Sequence, residues 1–243
     1  MQAQTKETPK AVDPVVDEMT KAGLQFGHKT SKTHPKMKPY IAGIRNTVHI
    51  FNLDKTKEKL EAALVFVESI VKEGKTLLLV GTKVQIRELV KNVAAECDIP
   101  FVTERWIGGT LTNFETIQKR VTYMKELEEK KKTGELEKYT KKEQAQFNKE
   151  IQELEKKYGG VRNLPRLPDA IFICDLDENN LALREAVKKE IKVVAICDTN
   201  IDPTPIDYVI PANDDAVSSM HYMLEKLRER IKNAKPHDTT GTN

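Results

Sequence analysis

The chemistry of this chain is concentrated in a stretch of cations. From Thr20 to Asn52 there is no aspartate or glutamate, while Lys21, Lys29, Lys32, Lys36, Lys38 and Arg45 are all basic. Elsewhere acids nearly balance bases: 32% of the 243 residues are charged, yet the net charge is only +3. A polyanionic partner would therefore be met by the arrangement of charge and not by its total. Gly23, Gly27, Pro35 and Pro39 predict an ordered loop rather than a helix, and Phe26, His28, His34 and Tyr40 interleave with the cations. Lysines on a rigid loop suit a phosphate backbone, because each contact gains mainly by releasing counterions. The plainer alternative is a solvated cationic loop. A second basic, proline-braced loop, Arg162 to Pro168, adds Arg162 and Arg166.

The remaining reactive side chains do not assemble into a reaction. Gly81-Thr82-Lys83, Asp175, Asp177, Asp198, Asn200 and Asp202 fall at predicted strand ends, where ligands of parallel sheets sit. There is no G-x-G-x-x-G after a strand and no G-x-x-x-x-G-K-[ST], so neither a dinucleotide nor a triphosphate cradle is expected. Aspartates at such positions commonly cap the next turn. A sugar-phosphate or nucleotide enzyme is kept only as the alternative to a non-enzymatic binding protein. Cys97, Cys174 and Cys197 lie far apart in or at the end of apolar runs, which points to buried, reduced thiols and not to a disulfide or zinc site. His28 and His34 have no cysteine near them, and no metal or cofactor is expected. No apolar run reaches the roughly 18 residues of a membrane span, and Met1 to Lys10 lacks the apolar core of a signal peptide.

The elements that must position these residues follow from periodicity. Val12, Val15, Val16 and Met19 recur at helical spacing ahead of Gly23. Thr47 to Asn52 predicts a strand, and Leu60, Ala63, Leu64, Val67, Ile70 and Val71 predict the inner face of the helix after it. Thr76 to Val80 is a continuous apolar run of the kind a buried parallel strand shows, followed by a helix from about Val84 to Glu96. Further strands are predicted at 99–103, 170–174, 193–197 and 208–210, with a helix over 180–189 and a last one from Asn213 to about Asn233. Alternation of this kind means an α/β, doubly wound and mostly parallel sheet.

That alternation is interrupted at Glu104-Arg105-Trp106-Ile107-Gly108-Gly109-Thr110-Leu111-Thr112-Asn113-Phe114. Gly108 and Gly109 release the chain from a strand, and Thr112 with Glu115 predicts a capping box that starts a helix. Trp106, the only tryptophan, reads as an anchor fixing the angle of an arm, with a stacking platform as the alternative. Phe114, Ile117, Val121, Met124 and Leu127, then Phe147, Ile151, Leu154 and Tyr158, predict two helices folded as an antiparallel coiled-coil hairpin. The expected organisation is a disordered lead at 1–11, a globular domain over 12–111 and 159–235, a protruding hairpin at 112–158, and a disordered tail at 236–243.

Four blocks of residues resemble the bacterial form of small-subunit ribosomal protein two, the S-two family. They are Ala22 to His28 with Pro35 to Ile41; Glu104 to Phe114; Leu167-Pro168-Asp169-Ala170; and Asp198-Thr199-Asn200 with Asp207 to Pro211 and Asn213-Asp214-Asp215, together covering about Ala11 to Leu227. The resemblance implies a non-enzymatic constituent of the cytoplasmic small ribosomal subunit, with an αβα body and a helical hairpin that contacts 16S-type rRNA. It implies a position between head and body, late entry into the assembling subunit, neighbouring ribosomal proteins and, in many bacteria, the mRNA-binding protein one. It implies neither membrane attachment nor homo-oligomers. Carried over by position, the RNA candidates are Lys29, Lys32, Lys36 and Lys38 in the first loop, and Arg105, Asn113 and Arg120 at the hinge and arm. Arg45, Arg162 and Arg166 join them on charge and position, and Trp106, Gly108 and Gly109 are expected to be structural. Zinc has been associated with some members of the family, but no zinc site is read from this sequence.

Overall fold

In the computed structural model, residues 13–235 are described; the expected lead and tail lie outside them, as does Val12. The chain enters through helix α1 (Pro14–Lys21), capped by the Asp13 carboxylate, which accepts from the Val15 amide at 3.0 Å. Three short strands follow, β1 (Phe26–Lys29), β2 (Ile41–Arg45) and β3 (Val48–Phe51), paired antiparallel in the order β1-β3-β2. Only β3 is predicted from the sequence. The basic segment expected to be a loop contains β1 and a 3-10 turn over Pro35–Tyr40, because β3 supplies the pairing partner that local composition cannot reveal. Asn46 and Thr47, at φ 49° and 64°, turn the chain from β2 into β3.

Helix α2 (Leu53–Lys72) starts under the Asn52 carboxamide, which accepts from the amides of Asp54 and Lys55. Its buried residues are Thr56, Leu60, Ala63, Leu64, Val67 and Ile70, so the apolar stripe read from the sequence is the inner face, with Val71 at its edge. Then come β4 (Leu77–Val80), α3 (Arg87–Glu96), β5 (Phe101–Val102), α4 (Phe114–Lys132), α5 (Lys141–Tyr158), β6 (Ala170–Ile173), α6 (Asn180–Lys188), β7 (Lys192–Cys197), β8 (Tyr208–Pro211) and α7 (Val217–Ala234). The second sheet has the order β5-β4-β6-β7-β8 with every pairing parallel, as the continuous apolar runs require.

Each central strand divides its side chains between two cores. Leu77, Leu79, Phe172, Val194 and Ile196 pack with α2, α3 and α7 on one face, while Leu78, Val80, Ile171, Ile173, Val193 and Ala195 pack with α6, Trp106, Leu111 and Val121 on the other. Cys97, Cys174 and Cys197 are buried free thiols, and burial raises the pKa of each. Between β5 and β6 the chain runs through α4 and α5, joined by a 3-10 turn at Glu135–Lys138. Ile117, Val121, Met124 and Leu127 are buried along α4 and Ile151 along α5, and the Tyr123 hydroxyl donates to Glu150 Oε1 at 3.1 Å. A capping box between Thr140 and Glu143 starts α5.

The predicted Thr112–Glu115 box is not formed. Helix α4 begins at Phe114 with no side-chain cap, because Thr112 is held by a carboxylate from α6 instead. Likewise Asp214 and Asp215 precede α7, which begins at Val217, and turn toward a lysine across the sheet edge.

Candidate nucleic-acid interface

The basic segment is docked onto the turn that follows β7. Gly27 lies so close to that turn that a Cβ on it would stand 2.6 Å from Thr199 Cγ2. The next amide, His28, donates to Asp198 Oδ1 at 3.2 Å and to Thr199 Oγ1 at 3.0 Å, and His28 Nδ1 is 3.1 Å from Asp198 Oδ2. That hydrogen bond, opposed by burial and helped by the fields of Asp198 and Asp215, raises the His28 pKa above its ordinary value. Further along, the His34 amide donates to Thr199 O at 2.7 Å, and the fully buried Met37 pins the 3-10 turn into the core. The Lys36 ammonium donates to both Asp202 oxygens at 3.2 and 3.3 Å and to the Thr204 hydroxyl. The Thr204 hydroxyl and amide hold the Asp202 carboxyl down at about 2 against an opposing desolvation, with Lys36 adding a lesser pull in the same direction.

Lys29, Lys32, Lys38 and Arg45 are exposed, and none has a carboxylate within ion-pair distance among the described residues. The segment therefore presents four cations, unpaired among the described residues, on a backbone hydrogen-bonded to the turn after β7.

At the second cluster a single buried carboxylate organises the chain. Glu185, 5% exposed on the inner face of α6, accepts from the Trp106 indole N–H at 3.2 Å and the Gly109 amide at 2.7 Å through Oε1. Through Oε2 it accepts from the Leu111 and Thr112 amides at 2.9 and 3.0 Å and from the Thr112 hydroxyl at 3.1 Å. Burial opposes ionisation, but these donors outweigh it and lower the Glu185 pKa. Gly109 adopts φ +94°, which a side chain would strain, while Gly108 is exposed beside Leu181. Upstream, Arg87 fixes Glu104 through its carboxylate at 2.9 Å and its carbonyl at 3.1 Å. Arg105, Asn113 and Arg120 are exposed on or just beyond this braced loop, and the two arginines make no ion pair among the described residues. Asn113 Oδ1 accepts from the Thr116 hydroxyl. Arg162 is paired with Glu128 at 2.8 Å and Glu155 at 3.5 Å, and Arg166 with Asp169 at 3.3 Å. Of the nine cationic candidates, Lys36, Arg162 and Arg166 are thus ion-paired within the chain, and the tenth, Asn113, is engaged by Thr116.

Sequence reasoning missed Glu185. The signal was a carboxylate flanked by Ala182, Leu183 and Ala186 on the apolar face of a predicted helix, where a charge is out of place unless it has donors. It also missed a cluster at the carboxyl edge of the sheet. Lys83 Nζ lies 2.8 Å from Asp215, 3.0 Å from Asp214 and 3.7 Å from Asp175, and His28 Nε2 lies 3.6 Å from Asp215. Burial, with Asp198 and Asp175 adding to it against the pull of Lys83, pushes the Asp214 carboxyl up to about 7. His28, Asp198 and Asp215 each offer one ligand atom, all within 4.8 Å of one another, a donor set of the type divalent cations take. Asp215, however, already faces the ammonium of Lys83.

The strand-end residues weighed for catalysis are largely turned on one another. Asp175 accepts from the Asp177 amide, Asp177 from the Asn200 carboxamide, and Asp198 from His28 and Thr199. The clustered charge is mostly negative, which repels phosphate. No helix among the described residues is long and apolar enough to cross a membrane. Residues 19–234 match a family model whose description is Ribosomal protein S2, a span that takes in the basic segment, the hinge, both intervening helices and the whole parallel sheet. With the match covering all but the ends of the chain, this protein belongs to the ribosomal protein S2 family, a family of structural ribosomal proteins and not of enzymes.

Proposed function

We propose that the chain binds small-subunit rRNA of the 16S type through the basic segment and the hinge, and that it serves late assembly of the subunit and translation in the cytoplasm. The observation that carries this reading is the display of Lys29, Lys32, Lys38 and Arg45, exposed and without ion-pair partners among the described residues, on a backbone fixed by Asp198, Thr199 and Met37. Such charges can neutralise phosphates without first breaking an ion pair. Arg105, Asn113 and Arg120 extend the surface onto α4, and Arg162 and Arg166 brace the return from α5. In this reading α4 and α5 form an antiparallel arm projecting from the body. Its apolar seam is thin, and its other positions are mostly Lys, Glu and Gln, suited to solvent or to lying along RNA. Neighbouring ribosomal proteins complete the surroundings, with the mRNA-binding protein one among them where a bacterium has it. The chain acts there as a single copy, with no cofactor.

Sucrose-gradient sedimentation of a lysate at moderate and at high salt tests the reading. Co-migration with small subunits that is lost only at high salt is the expected result. A chain that stays at the top of the gradient at both salts would remove the ribosomal reading.

A further inference from the structure

The turn from Asp198 to Thr204 touches the basic segment at three separated points. Asp198 and Thr199 take the His28 amide and ring, the Thr199 carbonyl takes the His34 amide, and Asp202 with Thr204 takes Lys36. An ammonium has three donors, and Lys36 has three acceptors around it, the two oxygens of Asp202 and the hydroxyl of Thr204. A phosphate arriving at Lys36 would have to displace Asp202 and then lie beside a carboxylate that keeps only its hydrogen bonds from Thr204 and the nearby His34 ring. Lys29, Lys32 and Lys38 impose no such exchange.

We infer that Lys36 is a positioning residue and not a phosphate contact: with His28 and His34 it clamps the basic segment onto the Asp198–Thr204 turn, so that Lys29, Lys32 and Lys38 reach the RNA already ordered. This rests on the rRNA reading and assigns roles within it. Each residue held before binding is one whose freedom is not lost on binding. Because Lys36 and Asp202 are both partly exposed, the pair is of the surface kind, and its loss weakens binding by about two- to fivefold.

The test is titration of the full chain against a labelled small-subunit rRNA transcript over a range of potassium chloride concentrations. Lys32→Ala lowers the slope of log affinity on log salt by about 0.7–0.9, the loss of one phosphate contact. Lys36→Met weakens binding with the slope unchanged, and Lys36→Arg, which can keep the ion pair, restores it. Asp202→Asn weakens binding equally although it removes a negative charge, and the double variant Lys36→Met with Asp202→Asn is no worse than either single one. Tighter binding by Asp202→Asn, or a slope lost in Lys36→Met as in Lys32→Ala, overturns the clamp. Amide exchange in the free protein separates this outcome from failure of the rRNA reading. Faster exchange over residues 29–38 in Asp202→Asn supports the clamp even if the wild-type chain does not bind the transcript, and unchanged exchange overturns it.

Discussion

Replacing Glu185 by alanine would leave the Trp106 indole, the Gly109, Leu111 and Thr112 amides and the Thr112 hydroxyl without their acceptor in a site that is buried at Trp106 and Leu111 and half-buried at Gly109 and Thr112. A buried donor left unmade costs more than a hydrogen bond contributes, so the expected destabilisation of Glu185→Ala is about 3–5 kcal/mol. Glu185→Gln keeps one acceptor oxygen but turns an NH2 toward amide donors, and is expected to cost about 1–3 kcal/mol. Urea unfolding of both variants is the measurement, and an alanine variant within about 0.5 kcal/mol of wild type would sink this account of the hinge. Trp106 shows how far residue-level reading goes. It is buried and its indole N–H donates to Glu185, but that partner on α6, more than seventy residues away, was not legible.

At the scale of elements, the return from α5 depends on the absence of a side chain. The 3-10 turn Gly159–Val161 crosses the edge strand β5 so closely that a Cβ on Gly160 would stand 2.1 Å from the Phe101 carbonyl oxygen. Backbone cannot move aside as a side chain can, so Gly160→Ala should cost about 2–3 kcal/mol or detach the turn from β5. Gly43→Ala, with open space around it and no positive φ, should stay within about 0.5 kcal/mol of wild type. Thermal unfolding of the pair checks the contrast, and equal losses would refute it. The long elements α2, α4, α5 and α7 were legible because each repeats its apolar positions for several turns. Helices α3 and α7 start later than expected, because Lys83, Asp214 and Asp215 are drawn into one ion cluster and not into helix termini.

That cluster joins β4, β6, β7, β8 and β1, so its titration is a property of the whole molecule. Asp214, lifted from 3.8 to about 7 chiefly by burial, keeps its proton in the folded chain where the unfolded chain has lost it. The folded state then binds more protons, and stability falls as pH rises through that window. His28 acts in the same direction: its pKa is raised by the hydrogen bond to Asp198, so its contribution is full below the unfolded value of 6.5 and lost as pH climbs through the folded one. Glu185 and Asp202, with lowered pKa values, contribute above the ordinary carboxylate range and lose it only in acid. The urea midpoint is therefore expected to be higher at about pH 5.5 than at about pH 8, with Asp214→Asn narrowing the difference. A midpoint that rises over this interval, or an unchanged difference in the variant, would count against the assignment.

The sequence by itself determined the layers and the location of the free charge. Continuous apolar runs imply strands buried on both faces, and an acid-free stretch keeps its sign however it folds. Only the tertiary structure decided how that charge is used. Short strands such as β1 and β2 are defined by a partner and not by their own composition. An ion pair such as Lys36 with Asp202 joins residues 166 positions apart, a separation over which local periodicity carries no information. Thr112 could cap a helix or bind Glu185, and the choice rested with α6, which brings Glu185 to it from more than seventy residues along the chain.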